Sequence, residues 1–266
     1  MNNLVKRILT GSVYVAALLF AVTNVMYIGV LFSLVAVLAV FEFKNICEKQ
    51  HLEFDLYPSL IIGFLCYASI LNAQITGYFI LSIFLYFISQ LFRQNRNTLQ
   101  LLGGTLVTVV YIFVPLALII PIGFHSGKYE FKLLVGLLIL IWASDSWAYL
   151  AGRMFGKRKL FERHSPNKTW EGFWGSVLLT SVTGYVLAQT GFGLNTKEWM
   201  ILGALTVFIA TAGDLFQSML KRASNLKDSG NILPGHGGIL DRFDSILFGL
   251  PAFYLYFYYL SPLINS

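Results

Sequence analysis

Nine long apolar stretches constrain this chain more than any other feature. They run at about 8–23, 26–43, 57–75, 77–92, 100–122, 131–151, 173–190, 199–219 and 245–262. A helix that crosses a bilayer needs about 20 predominantly apolar residues. A transmembrane barrel would instead alternate with period 2, whereas Leu133–Ile141 is apolar on every side. Charged residues make up only 12% of the chain, against about 25% in soluble domains. The expected class is an all-α, polytopic membrane protein of about nine helices. The hydrophobic pattern resumes at Met26, directly after the first stretch, so that stretch reads as a first membrane helix rather than a signal peptide.

The distribution of cations sets the expected topology. Short cytoplasmic loops carry an excess of Lys and Arg. With the N-terminus inside and nine crossings, 16 of the 19 Lys and Arg fall on the inner side, among them Arg93 and Arg96. Only Lys128, Lys132 and Lys197 fall outside. The expectation is N-inside, C-outside. The net charge of +6 then reflects topology and attraction to anionic headgroups, not a nucleic-acid partner. Cys47 and Cys66 lack metal-ligand spacing and read as two free thiols. The chain divides into N-terminal membrane helices over 1–123 and a candidate catalytic region over 124–266. No transit peptide is visible, which points to a bacterial inner membrane.

Two inner loops, 152–172 and about 220–244, hold ten of the 16 inner cations. A site is expected where these loops and the adjoining helix ends meet the membrane, facing the cytoplasm. Asp145 and Asp214 lie in apolar surroundings, where a carboxylate is costly and usually faces protein, water or an ion. Asp214, Ser218, Lys221 and Arg222 fall at i, i+4, i+7 and i+8 and share one helix face. That face combines an acid for a divalent metal with cations for phosphate. Beyond it, Gly235, Gly237 and Gly238 permit tight turns whose amides can cradle an anion. Asp241 opens the next helix, with Asp244 one turn later. Asp214 and Asp241 together make a candidate Mg²⁺ site, since Mg²⁺ prefers hard oxygen ligands and keeps waters and substrate phosphates. His236 is compatible with a ligand, a phosphate donor or a structural loop histidine. In the other loop, Lys168 sits in a compact turn beside Trp170, which marks it as a placed cation.

Residues 218–244 resemble the signature of the phosphatidate cytidylyltransferase (CDP-diglyceride synthase) family. The matching positions are Ser218, Lys221-Arg222, Lys227-Asp228, Pro234, His236-Gly237-Gly238, Asp241-Arg242 and Asp244. Asp145-x-x-Ala148-Tyr149 and Ser165–Gly172 also look like this family, with Asn167 where a lysine is usual. The specific resemblance covers about 145–250, and the N-terminal helices match in hydropathy alone. It implies transfer of CMP from CTP to phosphatidic acid, giving CDP-diacylglycerol and pyrophosphate. It also implies Mg²⁺, with K⁺ or a second cation at the same centre, and a homodimer. Asp214 and Asp241 are then the metal ligands. Lys168, Lys221, Arg222 and Lys227 hold pyrophosphate or lipid phosphate, helped by His236, Gly237, Gly238 and Arg242. Asp145, Asp228 and Asp244 orient cations or hold a second ion, and Ser218 joins the catalytic face. A CTP-dependent lipid kinase, a transporter and a membrane scaffold are the competing classes. The kinase fits the full signature poorly. The transporter lacks a visible internal repeat, and a scaffold leaves the clustered Asp, Lys and Gly-Gly unexplained.

Overall fold

The computed structural model describes residues 3–93, 97–233, 235 and 237–265; Arg96 lies outside them. Helices dominate the described residues. They are α1 (Asn3–Ala21), α2 (Val25–Lys49), α3 (Leu56–Leu71), α4 (Ala73–Leu91), α5 (Thr98–Gly123), α6 (Phe131–Phe155), α7 (Trp170–Gln189), α8 (Thr196–Ala223) and α9 (Leu240–Leu263). Six of them, α2, α4, α5, α6, α8 and α9, are long and apolar enough to cross a membrane. Leu9–Ala21 and α3 are shorter apolar helices. Large apolar side chains such as Leu34, Ile61, Phe84 and Leu178 stand exposed on the helices, a surface suited to hydrocarbon rather than water. Cys47 and Cys66 are free, as expected, and both are buried, Cys47 within α2 rather than in a loop.

One element was not foreseen. Between α6 and α7 the chain makes a small antiparallel hairpin, β1 (Lys159–Phe161) with β2 (Ser165–Thr169). Strands this short carry no alternation of apolar residues, so the basic loop gave no sign of it.

The contacts divide the chain into two units. The first comprises 1–121 with 220–243, the second 122–219 with 244–266. In the first, α2 supplies a core of Val35, Ala36, Ala39, Val40, Phe43 and Ile46. A polar network ties α3, α4 and α5 together: Tyr86 donates to Asp55 at 2.7 Å, and Arg93 pairs with the same carboxylate. Ser59 and Thr105 extend it within the buried interior. The end of α8 is tied to α2 by Gln50, which donates to Ser224 Oγ at 2.9 Å.

In the second unit, α6, α7 and α8 pack through small residues, as helices in membranes commonly do. A Cβ on Gly203 of α8 would collide with the Thr180 carbonyl of α7. Hydroxyls and an indole then stitch the helices together. Ser176 donates to the Ser144 carbonyl at 2.7 Å, and Trp147 Nε1 donates to Thr183 Oγ1 at 3.1 Å. Such bonds satisfy polar groups that would otherwise be stranded in an apolar interior.

Candidate active site

In the second unit the site is built around Asp214. Thr169 ends β2 and caps α7, its Oγ1 accepting from Gly172 N at 3.2 Å. Side-chain oxygens at this position satisfy amides that have no partner inside the helix. Glu171, in the first turn, accepts from the Lys157 and Arg158 amides at 2.9 and 3.1 Å. These bonds clamp the base of the hairpin onto α7, and Lys168 is the residue just before the cap. Its Nζ reaches Asp214 Oδ2 at 2.6 Å. Asp145 on α6 lies within electrostatic reach of both. Gly213 completes the arrangement, because any Cβ there would strike the Asp244 carbonyl at 2.6 Å. The helix turn that carries Asp214 therefore lies directly against α9 at Asp244. Hydrogen bonds from the Lys157 amide, its own amide and the Arg158 amide hold the Glu171 carboxyl below its ordinary range.

In the first unit the site is built around Asp241. Helix α8 stops in a turn where the Leu226 amide bonds the Lys221 carbonyl at 2.8 Å and Asn225 takes a left-handed φ of 53°. Such a reversal is a common helix C-terminus, and Asn tolerates that conformation. It leaves Lys221 in the last turn, with its Nζ 2.7 Å from Asp241 Oδ1. The other oxygen, Oδ2, accepts from Ser229 N at 2.8 Å, Gly238 N at 3.0 Å and Ser229 Oγ at 3.1 Å. Gly237, at φ 83°, brings the loop round against Asp241 and Asp228. The Lys221 and Asp241 side chains are only 14% and 5% exposed.

The structure thus gathers the sequence candidates into two clusters: Asp145, Lys168, Asp214 and Asp244 in one unit, and Lys221, Asp228, Gly237, Gly238 and Asp241 in the other. Ser218 lies one turn beyond Asp214 on α8. Arg222, Lys227 and Arg242 are exposed; Arg222 reaches the Leu226 carbonyl at 3.4 Å, and the Arg242 carbonyl accepts from Tyr14. His236 lies outside the described residues.

Two residues escaped the sequence reading. Glu42 of α2 is buried and accepts from Ser229 Oγ at 2.7 Å, Ile239 N at 2.8 Å and Leu240 N at 2.9 Å. Ser229 lies between Glu42 and Asp241. The available signal was an acid inside the apolar stretch 26–43.

Among the described residues, no group of three His, Cys, Asp or Glu is placed to hold a metal ion. The carboxylates nevertheless suit Mg²⁺, which binds through one or two carboxylates and completes its shell with water and phosphate oxygens. Each of Asp214 and Asp241 is paired with a lysine ammonium.

The cytidylyltransferase family model matches residues 5–260. The chain belongs to the cytidylyltransferase family. Relatives within it include the phosphatidate cytidylyltransferase of Bacillus subtilis, 32% identical over 96% of this chain and 97% of that protein. That of Haemophilus influenzae is 38% identical over 69% of this chain and 65% of its own length. For Pseudomonas aeruginosa the match is 46% identical, over 46% of this chain and 45% of that protein.

Proposed function

We propose that this cytidylyltransferase acts on phosphatidate, transferring CMP from CTP to give CDP-diacylglycerol and pyrophosphate. One observation carries the reading into mechanism. Each aspartate expected to hold Mg²⁺ is engaged by a lysine expected to hold phosphate. Substrate binding separates each pair: the ammonium turns to a phosphate, and the carboxylate it leaves would then be free to hold a cation.

A lipid phosphate oxygen attacks the α-phosphorus of CTP. The bond from that phosphorus to the α,β-bridging oxygen breaks, and pyrophosphate leaves with the electron pair. A phosphomonoester has a second pKa of about 6, so the nucleophile is largely dianionic at neutral pH and needs no strong base. Repulsion between polyanions is the main obstacle, and positioning with charge neutralisation overcomes it. Lys168 and Lys221 hold phosphate oxygens in place, assisted by Arg222 and Lys227. Asp145 and Asp244 keep the cations near Asp214 oriented, and Asp228 does so beside Gly237. Asp214 and Asp241 would hold Mg²⁺, with K⁺ or a second cation alongside; when bound, it supplies positive charge against the α-phosphate.

The finer assignments form part of the same reading. The chain crosses a bacterial inner membrane nine times, N-inside and C-outside, with the site facing the cytoplasm, and it works as a homodimer. The charge bias across the loops supports this topology.

The test uses purified protein in detergent with Mg²⁺, phosphatidate and CTP labelled at the α-phosphorus. Label is expected in chloroform-extractable lipid and is lost in Asp241→Asn. Transfer of γ-label to a lipid alcohol instead would establish a kinase.

A further inference from the structure

We propose that Glu42 is a positioning residue for cytidylyl transfer, acting through the 229–240 loop on Asp241. The role rests on the cytidylyl-transfer reading above. Glu42 is 4% exposed, and a carboxylate at such burial is costly unless donors surround it. Its donors all come from the loop and the first turn of α9, far away in the chain. Ile239 and Leu240 bring two of the amides that a helix start leaves without internal partners. Glu42 thus caps α9 from a different helix, and a negative charge is favourable at that end.

The loop is shaped to receive it. A Cβ on Gly230 would lie 2.5 Å from Glu42 Oε1, and a Cβ on Gly238 would collide with both Ser229 Oγ and the Glu42 carboxylate. Two glycines of the signature segment are therefore explained by an acid that lies outside it.

The connection to Asp241 is direct. Ser229 Oγ stands 2.7 Å from Glu42 Oε2 and 3.1 Å from Asp241 Oδ2, so one hydroxyl proton serves two carboxylates. The Ser229 and Gly238 amides, in the segment Glu42 fixes, donate to the same Asp241 oxygen. With Oδ2 so engaged, Oδ1 is presented to Lys221. Loss of the Glu42 charge frees the loop and lets the Asp241 carboxylate rotate away from that orientation.

The experiment compares wild type, Glu42→Gln and Ser229→Ala in detergent. Steady-state kinetics are measured with CTP and phosphatidate, and hydrogen–deuterium exchange is followed in metal-free buffer. Residues that orient a ligating side chain typically change activity by about 10–100-fold when replaced. Glu42→Gln is expected to lower kcat by that amount with KM for CTP unchanged, and to speed exchange in the peptide holding Ile239 and Leu240. Ser229→Ala is expected to show a smaller loss in the same direction, and it decides the matter if Glu42→Gln does not fold. Normal kcat in the folded variants, whatever their melting temperature, reduces Glu42 to a structural role and overturns the proposal. Unchanged exchange overturns it as well. An inert wild type overturns the cytidylyl-transfer reading and this role with it.

Discussion

Asp214 and Asp241 each carry one lysine at nearly the same distance, yet the two pairs are built differently. The Lys168 and Asp214 side chains are 26% and 30% exposed, and Lys168 is placed by local means: a short hairpin, a threonine cap and a glutamate clamp. The Lys221–Asp241 pair is nearly closed to solvent, and loop donors fill the second aspartate oxygen. Burial changes what a pair is worth. An exposed pair contributes little, because water screens it and two long side chains must be ordered. A buried pair contributes little net stability, but removal of one partner strands a charge. The same chemistry is therefore joined to folding in one place and nearly independent of it in the other.

Lys221→Met is expected to have the largest effect. It leaves Asp241 buried without its cation and should cost about 3–5 kcal/mol, with activity lost. Thermal unfolding in detergent measures it, and a variant as stable as wild type would break the distinction between the two pairs. Thr169→Ala comes next. Loss of the α7 cap should cost about 0.5–2 kcal/mol, and it should lower kcat because the adjacent Lys168 loses its anchor. Lys168→Met itself should cost at most about 1 kcal/mol. Loss of one charge-stabilising donor should nonetheless reduce kcat by about 10²–10³-fold. A large change in melting temperature there would show that the open pair is structural after all.

The same contrast explains what could be read from the sequence. The nine apolar stretches correspond closely to helices among the described residues, because apolar runs of this length have few alternatives to a helix. Helix ends were less legible. Helix α2 continues through Lys44 to Lys49, and α6 through Arg153 to Phe155, since backbone hydrogen bonding does not stop where hydropathy falls. At the open pair, Lys168 was legible from its turn and its neighbour Trp170, although the hairpin that presents it was not. At the buried pair, Lys221 and Asp241 were legible from spacing. Their support was hidden, because Glu42 lies 187 residues from Ser229 and no local pattern encodes a contact over that separation.

The smallest effect sharpens the description of the open pair. Glu171 is half-buried in the first turn of α7 and tethers the hairpin base through the Lys157 and Arg158 amides. Its carboxyl is held below its ordinary value of 4.5 by those amide bonds. A group whose folded pKa is depressed stabilises the fold above its unfolded pKa and loses that contribution as pH falls through the folded value. The tether should therefore be at full strength above pH 4.5 and weaken progressively below it. The melting temperature of wild type and Glu171→Gln, followed downward from neutral pH, measures this: the gap between them should narrow only in the acid range. The exposed hairpin is then held by a bond that acid releases, and Lys168 depends on that bond for its place. A gap that stays constant to low pH would mean that the threonine cap alone holds the hairpin. Lys168 would then reach Asp214 without help from Glu171.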